Sequence, residues 1–449
     1  MTNTFLTVDE AKAFLATHPS VQWIDAFVLD MNGHPRGKRL RRDDLPGIAK
    51  GGMMMPGSVF IMDPRGNCIA ETGRLWETGD PDYNFRILAG TLGPVAVDGG
   101  RFAQCVIVPE KDDPLDPRFV LATQQARLKA SGYTPVAAVE LEFYVTKPGP
   151  NGEFTLDIPP GVSRETDIPL TFQFDDMDAL QAFNDDIYRI AEAQGLPVDA
   201  LTQESGPSQF EINLKHCDDA VKAALDGLLL KRAVKAAARA HGLIATFMAK
   251  PHHDWAGSGM HIHMSIVDKA GANVFAGKPI SPLFRNVLGG LKDTMADFMA
   301  VWAQSANAYR RYVPESYVSM AAHWGFNNRT VALRIPDQGG SATRVEHRVA
   351  GADANPYLVI AAILAGAAHG IAGKIDPGPE VNGNSEKLET TPLPTTWTEA
   401  LKQFEQSAVV REAFGADFQH VFTRLKETER ANFERIVTSL DHLWYAHVA

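Results

Sequence analysis

Four segments of this chain alternate apolar and ionisable residues with a period of two, the signature of strands with one dry and one polar face. In VAAVELEFYV, Val139, Leu141, Phe143 and Val145 share one side while Glu140 and Glu142 share the other. QFEINL sets Phe210, Ile212 and Leu214 against Gln209, Glu211 and Asn213. MHIHMSI sets Met260, Ile262, Met264 and Ile266 against His261, His263 and Ser265. RVEHRV sets Val345, His347 and Val349 against Arg344, Glu346 and Arg348. Water on the polar face explains any one such strand. Four that carry Glu, His and Arg in place of Lys, Thr and Ser describe a shared cavity for cations and anions.

Around these strands the pattern predicts other elements. Val21 to Leu29 reads as a strand, and Asn32-Gly33 as a hairpin turn before GKRL. Gly and Pro punctuate short apolar runs such as SVFIMD and GPVAVD, so the first hundred or so residues look β-rich. PEKDDPLDPR (109–118) reads as a linker, after which Asp116 caps a helix with Pro117 in its first turn, ending at Gly132. Beyond it strands and helices alternate, with helices expected near 178–194, 218–241, 283–306, 355–372, 396–411 and 417–445. DPGPEVNGNSEKLETTPLP (376–394) reads as a surface excursion between helices.

Length and charge narrow the class. A chain of 449 residues implies two or three domains. A net charge of −11 argues against a nucleic-acid partner. The three cysteines, Cys68, Cys105 and Cys217, form no CxxC and favour a reducing cytoplasm. No signal peptide is read at the N-terminus, and no stretch is read as approaching the roughly 18 uninterrupted apolar residues of a membrane span.

Carboxylates with imidazole and no thiol suit Mg²⁺ or Mn²⁺. The arginines suit phosphate and carboxylate, which they grip bidentately. Together they are the equipment of phosphoryl transfer, and with no GxxxxGK[ST] the chain is not a P-loop enzyme.

At VELEF, ESGPSQFEINL, KPHHDWAGSGMHIHMS, NAYRRYVPESY, NNRTVALRIP and RVEHRVAGADANPYL the chain resembles the glutamine synthetase superfamily, in the family's order and over nearly its whole length. NGHPRGKRL, the P-x-S-V-F-x-M-D pattern at 56–63, AAVELEFY and ATFMAKP make it most similar to the γ-glutamylpolyamine synthetases. The resemblance implies an α+β architecture: an N-terminal β-grasp domain (1–112), then a catalytic domain (113–449) with a curved antiparallel sheet flanked by helices. It implies glutamate, ATP and an amine as substrates, and two or more Mg²⁺ or Mn²⁺ ions per site. It also implies a cytoplasmic dodecamer of two stacked hexameric rings, each site shared with a neighbour's β-grasp domain. One metal would be held by Glu142, Glu204 and Glu211, the other by Glu140, His261 and Glu346. Ser265, Arg334 and Arg344 would line the nucleotide site, and Arg329 would face the transferred phosphate. Gly257, Arg311 and Arg348 would contact glutamate.

Two departures from the ammonia-using members bear on the amine. Their flap reads R-L-V-P-G-Y-E, whereas here it is Arg311-Tyr312-Val313-Pro314-Glu315-Ser316-Tyr317, with Tyr317 in place of the terminal Glu. Their ammonium segment D-G-S-S is here Pro56-Gly57-Ser58-Val59, without its acid. The expectation is a site opened for putrescine or another polyamine, with ammonium or a small monoamine as the alternative, and with Glu315 a candidate for the unassigned catalytic base. A metal-dependent hydrolase and a non-catalytic relative are disfavoured, the first by the surplus of arginines and the second by retention of all six metal-ligand positions. The chain has no Tyr between Tyr357 and Tyr445, so adenylylation of a loop tyrosine is not expected. His263 is expected to support the site by hydrogen bonding, His347 to lie on the apolar back, and Asn355-Pro356 to start a helix. His252 and His253 read equally as loop residues and as substrate contacts.

Overall fold

The computed structural model describes residues 3–163, 171–337 and 339–448. Two sheets organise them. The first contains β1 (Trp23–Leu29), β2 (Pro35–Arg41), β3 (Met53–Pro56), β4 (Asp82–Ile87), β5 (Gly93–Val95) and β6 (Phe102–Pro109). Its order is β2-β1-β6-β4-β3, with β1 and β6 parallel at the centre and β5 beside β6, the arrangement of a β-grasp. Helices α1 (Val8–Thr17) and α2 (Leu45–Gly51) accompany it. The β-rich reading overlooks α1, although TVDE carries its start signal: Thr7 and Glu10 form a capping box. SVFIMD is not a strand, because Gly57–Ile61 winds into a buried 3₁₀ turn.

The second sheet contains β7 (Thr134–Thr146), β8 (Val198–Gln203), β9 (Gln209–Leu214), β10 (Ile244–Thr246), β11 (Met260–Val267), β12 (Trp324–Phe326), β13 (Leu333–Ile335) and β14 (Val345–His347). Its order is β12-β13-β14-β11-β7-β9-β8, with β10 also on β7, and every pair is antiparallel except β12 with β13. The apolar backs of β7, β9 and β11 are buried, including Leu141, Phe143, Phe210 and Ile262. Each such side chain contributes about 1.5–3 kcal/mol relative to exposure. Strand β14 is shorter than its alternation suggests, leaving Arg344 and Arg348 just beyond its ends.

The helices are α3 (Pro117–Ala130), α4 (Asp175–Ala179), α5 (Gln181–Ala193), α6 (Ala220–Ala240), α7 (Pro282–Thr294), α8 (Met299–Trp302), α9 (Pro356–Gly373), α10 (Trp397–Gln406), α11 (Ala408–Phe414), α12 (Ala416–Glu434) and α13 (Ser439–Tyr445). Asp116 caps α3, its side chain accepting from the Arg118 N–H, and Asn355 caps α9 in the same way through Tyr357. The continuous helices expected at 283–306, 396–411 and 417–445 each divide in two. By length and composition α9 is apolar enough to cross a membrane, which the sequence pattern did not suggest; here it lies in the core against α3, α6 and α7. Glycines allow its approach to α7: a Cβ on Gly290 would stand 2.2 Å from the Gly366 carbonyl oxygen.

Candidate active site

Strand register assembles the site. In an antiparallel ladder, residues directly opposite one another project to the same face. Glu140 is opposite His261 on one side and Asn213 on the other, Glu142 is opposite Glu211, and Glu346 is opposite both His263 and Arg334. Three alternating strands and the short β14 thereby place their ionisable fronts in one cleft.

His261 Nδ1 lies 2.7 Å from Glu140 Oε1, and its Nε2 lies 3.9 Å from Glu142 Oε1. His263 Nδ1 accepts from Arg344 Nε at 3.2 Å, so its Nε2 carries the proton and donates to Glu140 Oε2 at 3.2 Å. Asn213 Nδ2 donates to Glu140 at 2.7 Å and to Glu211 at 3.3 Å. The Gly259 N–H donates to Glu142 Oε2 at 2.7 Å. Arg334 donates to Glu346 Oε2 at 2.7 Å, and Arg348 donates to its other oxygen.

Charge is unevenly compensated. Burial would raise Glu346, but Arg348 and the two imidazoles hold its carboxyl at about 2. Burial would likewise raise Glu140, and hydrogen bonds from His261 and His263 keep it well below the ordinary range. Glu211 is pushed well up, first by burial and then by Glu140, Glu142 and Glu204. Glu204, just beyond β8, is raised to about 7 by burial and by Glu142, with Arg329 opposing the rise. Carboxylates crowded until they retain protons form a site that a divalent cation relieves. Ligand atoms of Glu140, Glu211 and His261 lie within 4.8 Å of one another, as do those of Glu140, His263 and Glu346. Oxygen donors with one imidazole fit a hard divalent ion. The clusters share residues with the sets implied by resemblance but divide them differently, and the second includes His263.

Residues 114–445 match the family described as glutamine synthetase, catalytic domain. The chain belongs to the glutamine synthetase family. It is 41% identical to gamma-glutamylputrescine synthetase PuuA of Escherichia coli (strain K12), across 97% of this chain and 94% of that one. It is 31% identical to the glutamate–isopropylamine ligase of a Pseudomonas species, across 94% of each. The solved GmaS chain of a GmaS/ADP complex superposes with a TM-score of 0.83 at 25% identity, covering 97% of this chain and 99% of that one.

In this family member the other expected site residues fall on several elements. Ser265 is buried on β11, and Gly257 lies in the loop before it. Arg311 is buried beneath that loop, its Nη1 donating to the Val349 carbonyl at 2.8 Å. A Cβ on Gly257 would stand 2.6 Å from Arg311 Cγ, so the loop closes over the arginine only with glycine there. Arg329 lines a cavity of about 540 Å³ together with Glu315, Tyr317, Phe326 and Glu386. Tyr317 is 65% exposed. His347 is buried against Trp302 on the back of the sheet. His252, His253 and Asp254 form a separate group in the loop before Gly257, with His252 against Trp255.

Several contributors have no role in the sequence reading. Gln209 Nε2 donates to the Gly257 carbonyl at 3.0 Å, and the Tyr144 hydroxyl donates to that of Ala256 at 2.8 Å, so both tether the glycine loop. Asn213 orients two carboxylates at once. All three occupy the polar parity of their strands, and that parity was the available signal. Near Pro56, Asp80 accepts from the Ser58 N–H and hydroxyl at 2.9 and 2.8 Å.

Proposed function

We propose that this chain is an ATP-dependent ligase that joins the γ-carboxyl of glutamate to putrescine or another polyamine through a γ-glutamyl phosphate. The observation that carries the reading is the register-built cleft of Glu140, Glu142, Glu211, Glu346 and His261 edged by arginines. Similarity along nearly the full chain to relatives named for joining glutamate to putrescine or isopropylamine supports the amine class.

The chemistry starts from an obstacle. A carboxylate and an alkylamine meet as a salt at neutral pH, and hydroxide leaves poorly. Phosphorylating the carboxylate supplies a better leaving group. Glu142, Glu204 and Glu211, and Glu140, His261 and Glu346, would hold two or more Mg²⁺ or Mn²⁺ ions, whose bound charge favours phosphoryl transfer. Ser265, Arg334 and Arg344 position ATP, Arg329 balances charge on the transferred phosphate, and Arg311, Arg348 and the Gly257 loop orient glutamate. The amine must shed a proton from a group with an intrinsic pKa of about 10.4. Glu315, at the cavity edge, is the candidate for that task, and wild-type activity in Glu315→Gln would remove it.

The division into residues 1–112 and 113–449, cytoplasmic residence and a dodecameric assembly belong to the same proposal. An apolar C-terminal surface supports the assembly, with Val437 69%, Leu443 76% and Trp444 61% exposed. The deciding assay measures ADP release with glutamate, ATP and Mg²⁺, comparing ammonium with mono-, di- and polyamines. Turnover with putrescine or longer polyamines, and little with ammonium, is expected. Turnover chiefly with ammonium would make the chain a glutamine synthetase.

A further inference from the structure

The 376–394 segment reads as a surface excursion, yet residues 381–386 are fastened to the segment that carries Arg329. Asn328 Nδ2 donates to the carbonyls of Val381 and Gly383 at 3.1 and 2.8 Å. The Val381 N–H donates to the Trp324 carbonyl at 2.9 Å, and the Ser385 N–H to Thr330 Oγ1 at 3.0 Å. Gly325 leaves room for this docking, since a Cβ there would stand 2.6 Å from the Val381 carbonyl oxygen. The side chain of Asn384 then accepts the Glu386 N–H at 3.0 Å and caps a short 3₁₀ turn, Ser385–Lys387.

From this anchored turn Glu386 reaches the flap. Its two carboxylate oxygens lie 3.0 and 3.1 Å from the Glu315 nitrogen and accept its N–H. Glu315 and Tyr317 have φ of +58° and +55°, a region that side chains with a Cβ rarely occupy. The flap conformation therefore depends on support, and Glu386 supplies it from outside the flap. Flap, Glu386 and Arg329 line the same cavity.

We propose that Glu386 is a positioning residue that latches the 311–317 flap over the Arg329 cavity, so that the amine meets the activated carboxyl in place of water. The inference rests on the ligase reading above. With the latch made, the amine nitrogen attacks the acyl carbon of γ-glutamyl phosphate, the carbon–oxygen bond to phosphate breaks, and the amide forms as the nitrogen loses its proton. With the latch lost, water attacks the same carbon and yields glutamate and inorganic phosphate. ATP is consumed in both cases, and amide appears only in the first.

The signature is a coupling ratio, which a general loss of structure does not move. ADP release and γ-glutamylamide formation are measured side by side for wild type, Glu386→Ala and Glu386→Gln, with the amine that wild type uses best. Glu386→Ala is expected to release several-fold more ADP than amide. Glu386→Gln, whose side-chain oxygen still accepts from Glu315, is expected to stay coupled like wild type. A coupled Glu386→Ala, lower or unchanged in rate, or equal uncoupling of both variants, overturns the latch. Wild type that forms no amide with ammonium or with any amine overturns the ligase reading itself, so the two failures are distinguishable.

Discussion

His261 and Glu140 sit directly opposite each other on β11 and β7, with Nδ1 of the imidazole 2.7 Å from Oε1 of the carboxylate. The other ring nitrogen, Nε2, faces Glu142 at 3.9 Å, beyond hydrogen-bond distance. An imidazole held by a carboxylate at one nitrogen presents a fixed lone pair at the other, the usual arrangement of a metal-binding histidine. His261→Ala and Glu211→Ala are therefore expected to lower activity on the order of 100-fold or more. Wild type should gain thermal stability on addition of Mn²⁺, with a smaller gain in each variant. A chelator should stop turnover, and Mg²⁺ or Mn²⁺ should restore it. Variants that keep the full Mn²⁺-induced rise in Tm would remove these residues from the metal site.

By resemblance Tyr317 takes the flap position at which ammonia-using members are expected to carry a carboxylate, and 65% of it is exposed at the edge of the Arg329 cavity. Tyr317→Glu is expected to raise kcat/KM for ammonium relative to that for putrescine by about tenfold, equivalent to about 1.4 kcal/mol in relative transition-state binding. Parallel kinetics with the two amines provide the check. An unchanged ratio would assign the tyrosine to drift in an exposed flap.

How far the sequence discloses this site can be followed through Glu140. Alternation alone places Glu140 and Glu142 on the polar front of their strand, because side-chain parity is a local property. It does not say that Glu140 meets His261 and Asn213, since that depends on register between strands far apart in the chain. The cleft was legible as an inventory and not as a geometry. Roles for individual residues came from resemblance, not spacing. Helix ends failed where apolar sequence continues past a break: α7 ends at Thr294, and the Trp302 indole N–H then donates to the Met295 carbonyl across the bend. Glu386 was invisible for a third reason, because its place is set by the docking of residues 381–386.

Gly257 gives a test of close packing at the glutamate end. A Cβ there would stand 2.6 Å from Arg311 Cγ and 3.0 Å from the Ala249 carbonyl oxygen. Neither neighbour yields freely, since Arg311 is buried and bonded to the Val349 carbonyl. Gly257→Ala should displace the loop or the arginine, at a cost of about 1–3 kcal/mol for an overpacked methyl. The expected result is a KM for glutamate raised by about tenfold or more, with the KM for ATP little changed. Equal rises in both constants would indicate general damage to the fold.

Asp116 offers a test far from the cleft. Its side chain caps α3 by accepting the Arg118 N–H at 2.9 Å, and burial raises its carboxyl to about 7 from an ordinary value of 3.8. A raised acid binds its proton more tightly in the folded chain. The associated stability is fully present below the unfolded value near 4 and is lost as pH rises through about 7. Asn keeps a capping oxygen and carries no charge to bury. Asp116→Asn is therefore expected to have a higher Tm than wild type at pH 8, with the difference shrinking steadily toward pH 4. Thermal melts of both proteins across that range decide it. A difference that stays constant with pH would mean that Asp116 titrates at its ordinary value, and a difference that turns against the variant as pH rises would mean that the charge strengthens the cap by more than its burial costs.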